Sequence, residues 1–222
     1  MTLLRRSVAE ALGTGFLLAS VVGSGIMAER LCNGNQAVAL LANTLATGAA
    51  LACLIAALAP ISGAHFNPAV SFAEAMRGRM AWHEIPAYWL GQVCGAIAGV
   101  AVANSMFGLP LLFVSHHPRS GAPQWQAEFI ATFGLLTVIW GCVRSRTDLM
   151  PLAVAAYIVS AYWFTSSTSF ANPAVTIART LSDTFAGIRP QDALAFVAAQ
   201  FAGAVCATLT FKWLAPVQAT GL

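Results

Sequence analysis

Two asparagines, each set directly before a proline, are the residues of this chain best placed to act on a passing molecule. They lie in Ala64-His65-Phe66-Asn67-Pro68-Ala69-Val70 and in Ser169-Phe170-Ala171-Asn172-Pro173-Ala174-Val175, so Asn67-Pro68-Ala69 recurs as Asn172-Pro173-Ala174. Asparagine is a good helix N-cap because its side-chain oxygen accepts a free backbone N–H. Proline suits the first helical position, where its missing N–H costs nothing. Each asparagine is therefore expected to open a short helix, its oxygen capping and its amide N–H offered to a solute oxygen. The start of a helix carries about half a positive charge. Two such starts facing each other would repel a cation or hydronium and admit a neutral solute. The extended residues ahead of the caps, 63–66 and 167–171, would turn backbone carbonyls toward the same lumen. The chemistry on offer is filtering by hydrogen bonds and charge, suited to small polyhydroxylated neutral molecules.

Few other residues compete for a role. An intramembrane enzyme would need converging catalytic groups, and the apolar runs hold almost no ionisable residue beyond Glu10 and Glu128. An ion-coupled carrier would need a titratable or ion-coordinating residue at mid-depth, and neither Asn67 nor Asn172 titrates. His65 stands two residues before Asn67, with no partner spaced nearby for a metal. His116-His117 lies in a loop, where solvation is the simpler reading. The five cysteines show no paired spacing and read as small buried residues. Gly13-Thr14-Gly15 follows no strand, which excludes a dinucleotide fold. No metal and no cofactor is expected.

The elements that must position the asparagines follow from composition. The chain has 222 residues, 58% of them hydrophobic and 9% charged, with mean hydropathy +0.73. Soluble domains are about a quarter charged, so this chain belongs in a membrane. A net charge of +3 suggests no nucleic-acid partner. Six apolar runs are long enough to cross: 7–28, 36–59, 82–106, 124–143, 149–168 and 192–214. The first is long enough to be a span in its own right and is read as one, without a cleaved leader. The pieces after the Asn-Pro starts, 67–76 and 172–180, are too short to cross and are expected as half-helices on re-entrant loops. Lipid cannot satisfy a helix start, so both must be buried or line a cavity.

With the N-terminus inside, Arg5, Arg6, Arg77, Arg79, Arg144, Arg146 and Lys212 fall on the cytoplasmic side and Arg30, Arg119, Arg179 and Arg189 outside, seven against four. That asymmetry favours cytoplasmic N- and C-termini. The halves also repeat. Ala9-Glu10-x-x-x-Thr14 matches Ala127-Glu128-x-x-x-Thr132, and Gln92-x-x-Gly95-Ala96 matches Gln200-x-x-Gly203-Ala204. Three spans per half invert the second copy, so the half-helices enter from opposite sides. One channel domain is expected over 1–222, with repeat one about 1–110 and repeat two about 120–222. Gly91-x-x-x-Gly95-x-x-x-Gly99 provides small residues for close helix packing, and Trp82, Trp89, Trp125, Trp163 and Trp213 lie near span ends or interfaces, where an aromatic belt explains most of them.

Over its full length the sequence resembles the aquaporin or major intrinsic protein family. The two Asn-Pro-Ala motifs, Ser62-Gly63-Ala64-His65, and the repeated Ala-Glu-x-x-x-Thr and Gln-x-x-Gly-Ala carry the resemblance. It implies an all-α membrane protein of six transmembrane helices and two re-entrant half-helices in an inverted repeat, assembled as a homotetramer in the plasma (inner) membrane. It implies that Glu10 and Glu128, with His65, support the re-entrant loops. The family narrows its pore near the outer mouth at four positions, which fall here on Thr47, Ser160, Ser169 and Val175. In nearly all members the fourth is arginine. With Val175 there and no ring at the other three, the constriction is expected to be wide. Arg179, four residues beyond, either lines the outer vestibule and partly replaces the missing arginine, or pairs with Asp183 or water. Glu74 occupies the equivalent place in the first repeat, which would give the two vestibules opposite charges.

The stretch from Thr165 to Arg179 resembles a bacterial branch of the family associated with arsenic-resistance operons. That resemblance implies passage of arsenous acid, a neutral trihydroxylated solute, and of related arsenicals. Glycerol facilitators follow the second Asn-Pro-Ala with Arg-Asp, and here Val175-Thr176 stands there. A glycerol and water facilitator with Arg179 standing in for the arginine remains the alternative. The physics of the lumen does not choose among arsenous acid, glycerol and urea.

Overall fold

The computed structural model describes residues 1–215. The expected cytoplasmic C-terminus lies outside the described residues. Eight α-helices follow in chain order: α1 (Leu3–Leu31), α2 (Gln36–Ser62), α3 (Pro68–Met76), α4 (Ile85–Met106), α5 (Ala122–Ser145), α6 (Met150–Phe164), α7 (Pro173–Arg179) and α8 (Pro190–Leu214). Among the described residues six helical segments are long and apolar enough to cross a membrane. The short helices α3 and α7 have 9 and 7 residues. At about 1.5 Å rise per residue they extend roughly 10–14 Å, under half of a bilayer core of about 30 Å.

Local sequence explains most boundaries. Thr2 caps α1 by accepting the Arg5 N–H, so α1 begins four residues before the expected run and carries Arg5 and Arg6. Asn35 caps α2 through the N–H groups of Ala37 and Val38, and Gly63 ends it at φ 90°, a conformation glycine adopts without steric cost. The fifth run stops at Phe164 and does not reach 168, because Thr165 is already extended at φ −107° and ψ 139°. Both half-helices start as expected: the Asn67 side chain accepts the Ala69 N–H, and that of Asn172 accepts the N–H groups of Ala174 and Val175.

The two halves pack in matching ways. In the first, α1 lies against α4 and α2; in the second, α5 lies against α8 and α6. The halves meet where α2 packs on α6, and each half-helix rests against both α4 and α8. The α1–α4 seam needs the glycines noted in sequence. A Cβ on Gly95 would stand 2.1 Å from the Ala11 carbonyl oxygen, and its repeat counterpart Gly203 would put one 2.4 Å from the Phe129 oxygen. No real Cβ sits that close, so these backbones touch because nothing intervenes. The outward faces carry large apolar side chains, including Leu12, Phe16, Leu90, Val102 and Leu194, all exposed on the protomer. Polar side chains such as Glu10, Gln92, Glu128 and Gln200 are fully buried. An apolar outside around a polar inside is what hydrocarbon surroundings require.

At one end Arg6 pairs with Glu84, tying α1 to the turn before α4, and Lys212 Nζ donates to the Met76 carbonyl 2.8 Å away, tying α8 to α3. At the other end Arg30 donates to the Phe107 carbonyl, and His117 accepts from the Arg189 N–H.

Candidate functional site: a lumen between two half-helices

The half-helices are held by two buried glutamates with matching bonds. One oxygen of Glu10 accepts from Ser62 Oγ at 2.6 Å and the His65 N–H at 3.0 Å. The other accepts from the Phe66 N–H at 2.6 Å and Gln92 Nε2 at 2.8 Å. In the second half, Glu128 accepts from Ser167 Oγ at 2.6 Å and the Phe170 N–H at 2.8 Å. Its second oxygen takes the Ala171 N–H at 2.8 Å and Gln200 Nε2 at 2.6 Å. A carboxylate is an acceptor at all its lone pairs, so four donors on each leave it satisfied at zero exposure. The repeated glutamines, visible in sequence only as part of the repeat, join each glutamate to its half-helix. Gln92 Nε2 also donates to Ser71 Oγ and Gln200 Nε2 to Thr176 Oγ1, each at 2.9 Å.

These anchors hold a backbone that would not otherwise persist. Ala64, Phe66, Thr168, Ser169 and Ala171 all have φ between 48° and 60°, in the left-handed region that side chains disfavour. The reward is carbonyl placement. The carbonyls of Gly63, Ala64, His65, Ser169 and Phe170 accept no hydrogen bond from the described residues, and those residues line the lumen. That lumen is a cavity of about 310 Å³ running between the halves. Its wall also has an apolar part that includes Leu17, Leu51, Ile55, Leu135 and Ile139.

At its centre the asparagines do more than cap. Asn67 Nδ2 donates to the Ala171 carbonyl and Asn172 Nδ2 to the Phe66 carbonyl, both at 2.7 Å. Each asparagine thus ties its half-helix to the opposite loop. The expectation that the amide is offered to solute holds for only part of it: one N–H is taken across the interface, and the second remains. Both asparagines line the lumen, while Pro68, Ala69, Pro173 and Ala174 are buried behind them. His65 also lines the lumen; its Nδ1 lies 3.0 Å from Ser71 Oγ and its ring 5.3 Å from that of Tyr88. Trp89, expected in an interfacial belt, instead donates its indole N–H to the Pro68 carbonyl at 3.1 Å and braces α3.

Three of the four expected constriction positions line the lumen: Thr47, Ser169 and Val175. Ser160 does not join them. It is exposed on the outside of the protomer, while α6 turns Val154, Ile158 and Tyr162 inward. Those three repeat every four residues along one face, and a residue two positions away points about 200° around the helix. The lumen wall is therefore not free of rings, since Tyr162 and Phe170 both contribute. The inward phase of α6 was legible only through Tyr162 itself, a polar-tipped ring within an apolar run.

Arg179 neither pairs with Asp183 nor meets bulk water. It lines the lumen, is 2% exposed and donates its Nε–H to the Ala186 carbonyl. Its guanidinium carbon lies 3.4 Å from the centre of the Phe170 ring. Asp183 pairs elsewhere: it accepts the His116 N–H at 2.8 Å and lies 3.1 Å from His116 Nδ1. Those contacts hold the Asp183 carboxyl below the ordinary carboxylate range, the His116 backbone N–H foremost. Glu74 also lines the lumen.

A continuous polar-and-apolar lumen between two half-helices, inside six apolar spans arranged as an inverted repeat, defines a membrane channel for small solutes and not an enzyme. Residues 1–165 match the family model described as major intrinsic protein. The chain belongs to that family. It is 54% identical over 212 residues to "Aquaglyceroporin AqpS" of Rhizobium meliloti (strain 1021), covering 96% of this chain and 91% of that protein. It is 36% identical over 180 residues to "Aquaporin NIP1-3" of Oryza sativa subsp. japonica, covering 78% of this chain and 62% of the other. Among solved structures, the aquaglyceroporin from Plasmodium falciparum superposes with a TM-score of 0.71 over 97% of this chain and 98% of its own, at 22% identity, which shows a shared fold.

Proposed function

We propose that this channel passes small uncharged polyhydroxylated solutes down their gradient, with arsenous acid and glycerol-like molecules as its substrates and some water alongside. The observation that carries the reading is Val175 at the lumen wall, where the usual filter arginine is replaced by a short apolar side chain. Thr47 and Ser169 beside it are also short, and each keeps a buried hydroxyl without a protein partner. Unpartnered hydroxyls and free loop carbonyls suit a solute that carries several O–H groups of its own. The description of the 54% identical relative as an aquaglyceroporin supports the same class. Arsenous acid rests on the resemblance of the second motif.

Arg179 favours a refinement of this reading. It stands one turn beyond Val175 and keeps Nη1 unpartnered. Cation exclusion then falls jointly to Arg179 and to the helix starts at Asn67 and Asn172. The outer constriction comprises Thr47, Tyr162, Ser169 and Val175, with Arg179 at its rim. The assembly is a homotetramer with one lumen per subunit, in the plasma membrane with cytoplasmic termini; the seven-to-four asymmetry of basic residues supports that orientation.

The test is stopped-flow light scattering on proteoliposomes with water, glycerol and arsenous acid, for wild type and Val175→Arg. Wild type is expected to pass all three, and the added arginine to block the larger solutes while sparing water. Passage of water alone by wild type would refute the substrate assignment.

A further inference from the structure

The outer loop between α4 and α5 sends a second arginine toward the same end of the lumen. Arg119 is 9% exposed, although it lies in a loop. Its guanidinium donates to three backbone carbonyls on two segments. Nη1 donates to the Ser167 carbonyl at 3.2 Å and lies 3.4 Å from Thr168 Oγ1, in the strained loop ahead of α7. Nε donates to the Gly187 carbonyl at 2.8 Å and Nη2 to the Phe185 carbonyl at 3.4 Å, on the segment after α7. Its own backbone N–H donates to Asp192 at the start of α8, 2.8 Å away.

Those contacts coincide with the supports of Arg179. The carbonyls of Phe185, Ala186 and Gly187 are consecutive: Arg119 takes the first and third, Arg179 the second. The Phe170 ring is also shared, with the Arg119 guanidinium carbon 5.0 Å from its centre and that of Arg179 3.4 Å. Neither arginine forms an ion pair among the described residues, so no carboxylate fixes either guanidinium. Gly187 lets the segment fit, since a Cβ there would lie 2.3 Å from Ser115 Oγ.

We propose that Arg119 is a positioning residue for solute selection: it fixes the Phe170 ring and the 185–187 carbonyls on which the Arg179 guanidinium rests, and so sets how far Arg179 projects into the outer mouth. The proposal rests on the reading that Arg179 rims the outer constriction. Arg119 does not line the lumen and acts only through that guanidinium. A lysine could not replace it, because a compact ammonium lacks the planar fork that spans carbonyls on two segments at once.

The test measures glycerol and water permeability of proteoliposomes for wild type, Arg179→Met, Arg119→Gln and the double variant. A merely structural role lowers both permeabilities together and leaves their ratio alone, so the ratio is the readout. Arg179→Met is expected to raise the glycerol-to-water ratio. Arg119→Gln is expected to shift it in the same direction by up to about tenfold, the order that losing one charge-assisted contact changes a barrier. The double variant is expected to match Arg179→Met alone. A ratio that Arg119→Gln leaves unchanged while Arg179→Met moves it, or shifts that multiply in the double variant, would overturn the proposal. A ratio unmoved by Arg179→Met would overturn the outer-rim reading and the proposal with it. Should Arg119→Gln yield no folded protein, Phe170→Leu removes the shared ring and is expected to give the same shift; an unchanged ratio there would also overturn it.

Discussion

Replacing Glu128 with glutamine removes one acceptor oxygen from a site that has four donors and no exposure. The amide oxygen can keep the pair on one side, Ser167 Oγ and the Phe170 N–H. Its NH₂ then faces the Ala171 N–H and Gln200 Nε2, which are both donors. Two buried donors lose their acceptor, at about 1–3 kcal/mol each, so about 2–6 kcal/mol in total. The strained loop at Thr168, Ser169 and Ala171 has no other clamp of this kind, so the same change should loosen the Asn172 cap and the Phe66–Asn172 bond. Equilibrium unfolding in mixed detergent and SDS micelles measures the stability, and stopped-flow scattering measures the permeability. Glu10→Gln should cost a similar amount, because its four donors match one for one. A loss below about 1 kcal/mol with unchanged permeability in both variants would refute the argument, since one unsatisfied donor alone exceeds that.

Gly95→Ala should destabilise by about 1–3 kcal/mol or prevent insertion, because its Cβ meets the Ala11 carbonyl; Gly141→Ala, where a Cβ meets nothing within 4 Å, should be neutral or gain up to about 1 kcal/mol. Comparing their unfolding midpoints checks both. Asp183→Asn should weaken the clamp on the outer loop in a pH-dependent way. The folded carboxyl titrates below its ordinary value, so its contribution is present above the ordinary carboxylate pKa and is lost as pH falls through the depressed one. The midpoint difference between wild type and variant should therefore shrink in acid, and a constant difference would count against the His116–Asp183 contact. Trp89→Phe removes the donor to the Pro68 carbonyl and should lower stability by about 0.5–1.5 kcal/mol in the same unfolding assay.

Much of the architecture was legible because membrane helices obey simple rules. A run of about twenty apolar residues has few alternatives in lipid, and Asn-Pro announces a capped start wherever it occurs. The glutamates were legible as a repeated exception, ionisable groups where none should be. Trp89 misled because an aromatic belt and a buried indole donor look alike in sequence. Ser160 misled because Tyr162 and Ile158 lie within two residues of it, and helical phase is set by what α6 packs against, not by its own apolar pattern.

By itself the sequence determined the six spans, the two half-helices, the repeat and the residue types at the lumen. Each follows from local chemistry: hydropathy over a span, capping at Asn67 and Asn172, and identity at Val175. Only the tertiary structure decided that each asparagine bonds the opposite loop, that Tyr162 faces inward, and that Arg119 and Arg179 share Phe170. Residues 67 and 171, or 119 and 187, are far apart in the chain and become neighbours only when the halves close. Contacts of that kind depend on angles and distances between whole helices, and no local pattern encodes them.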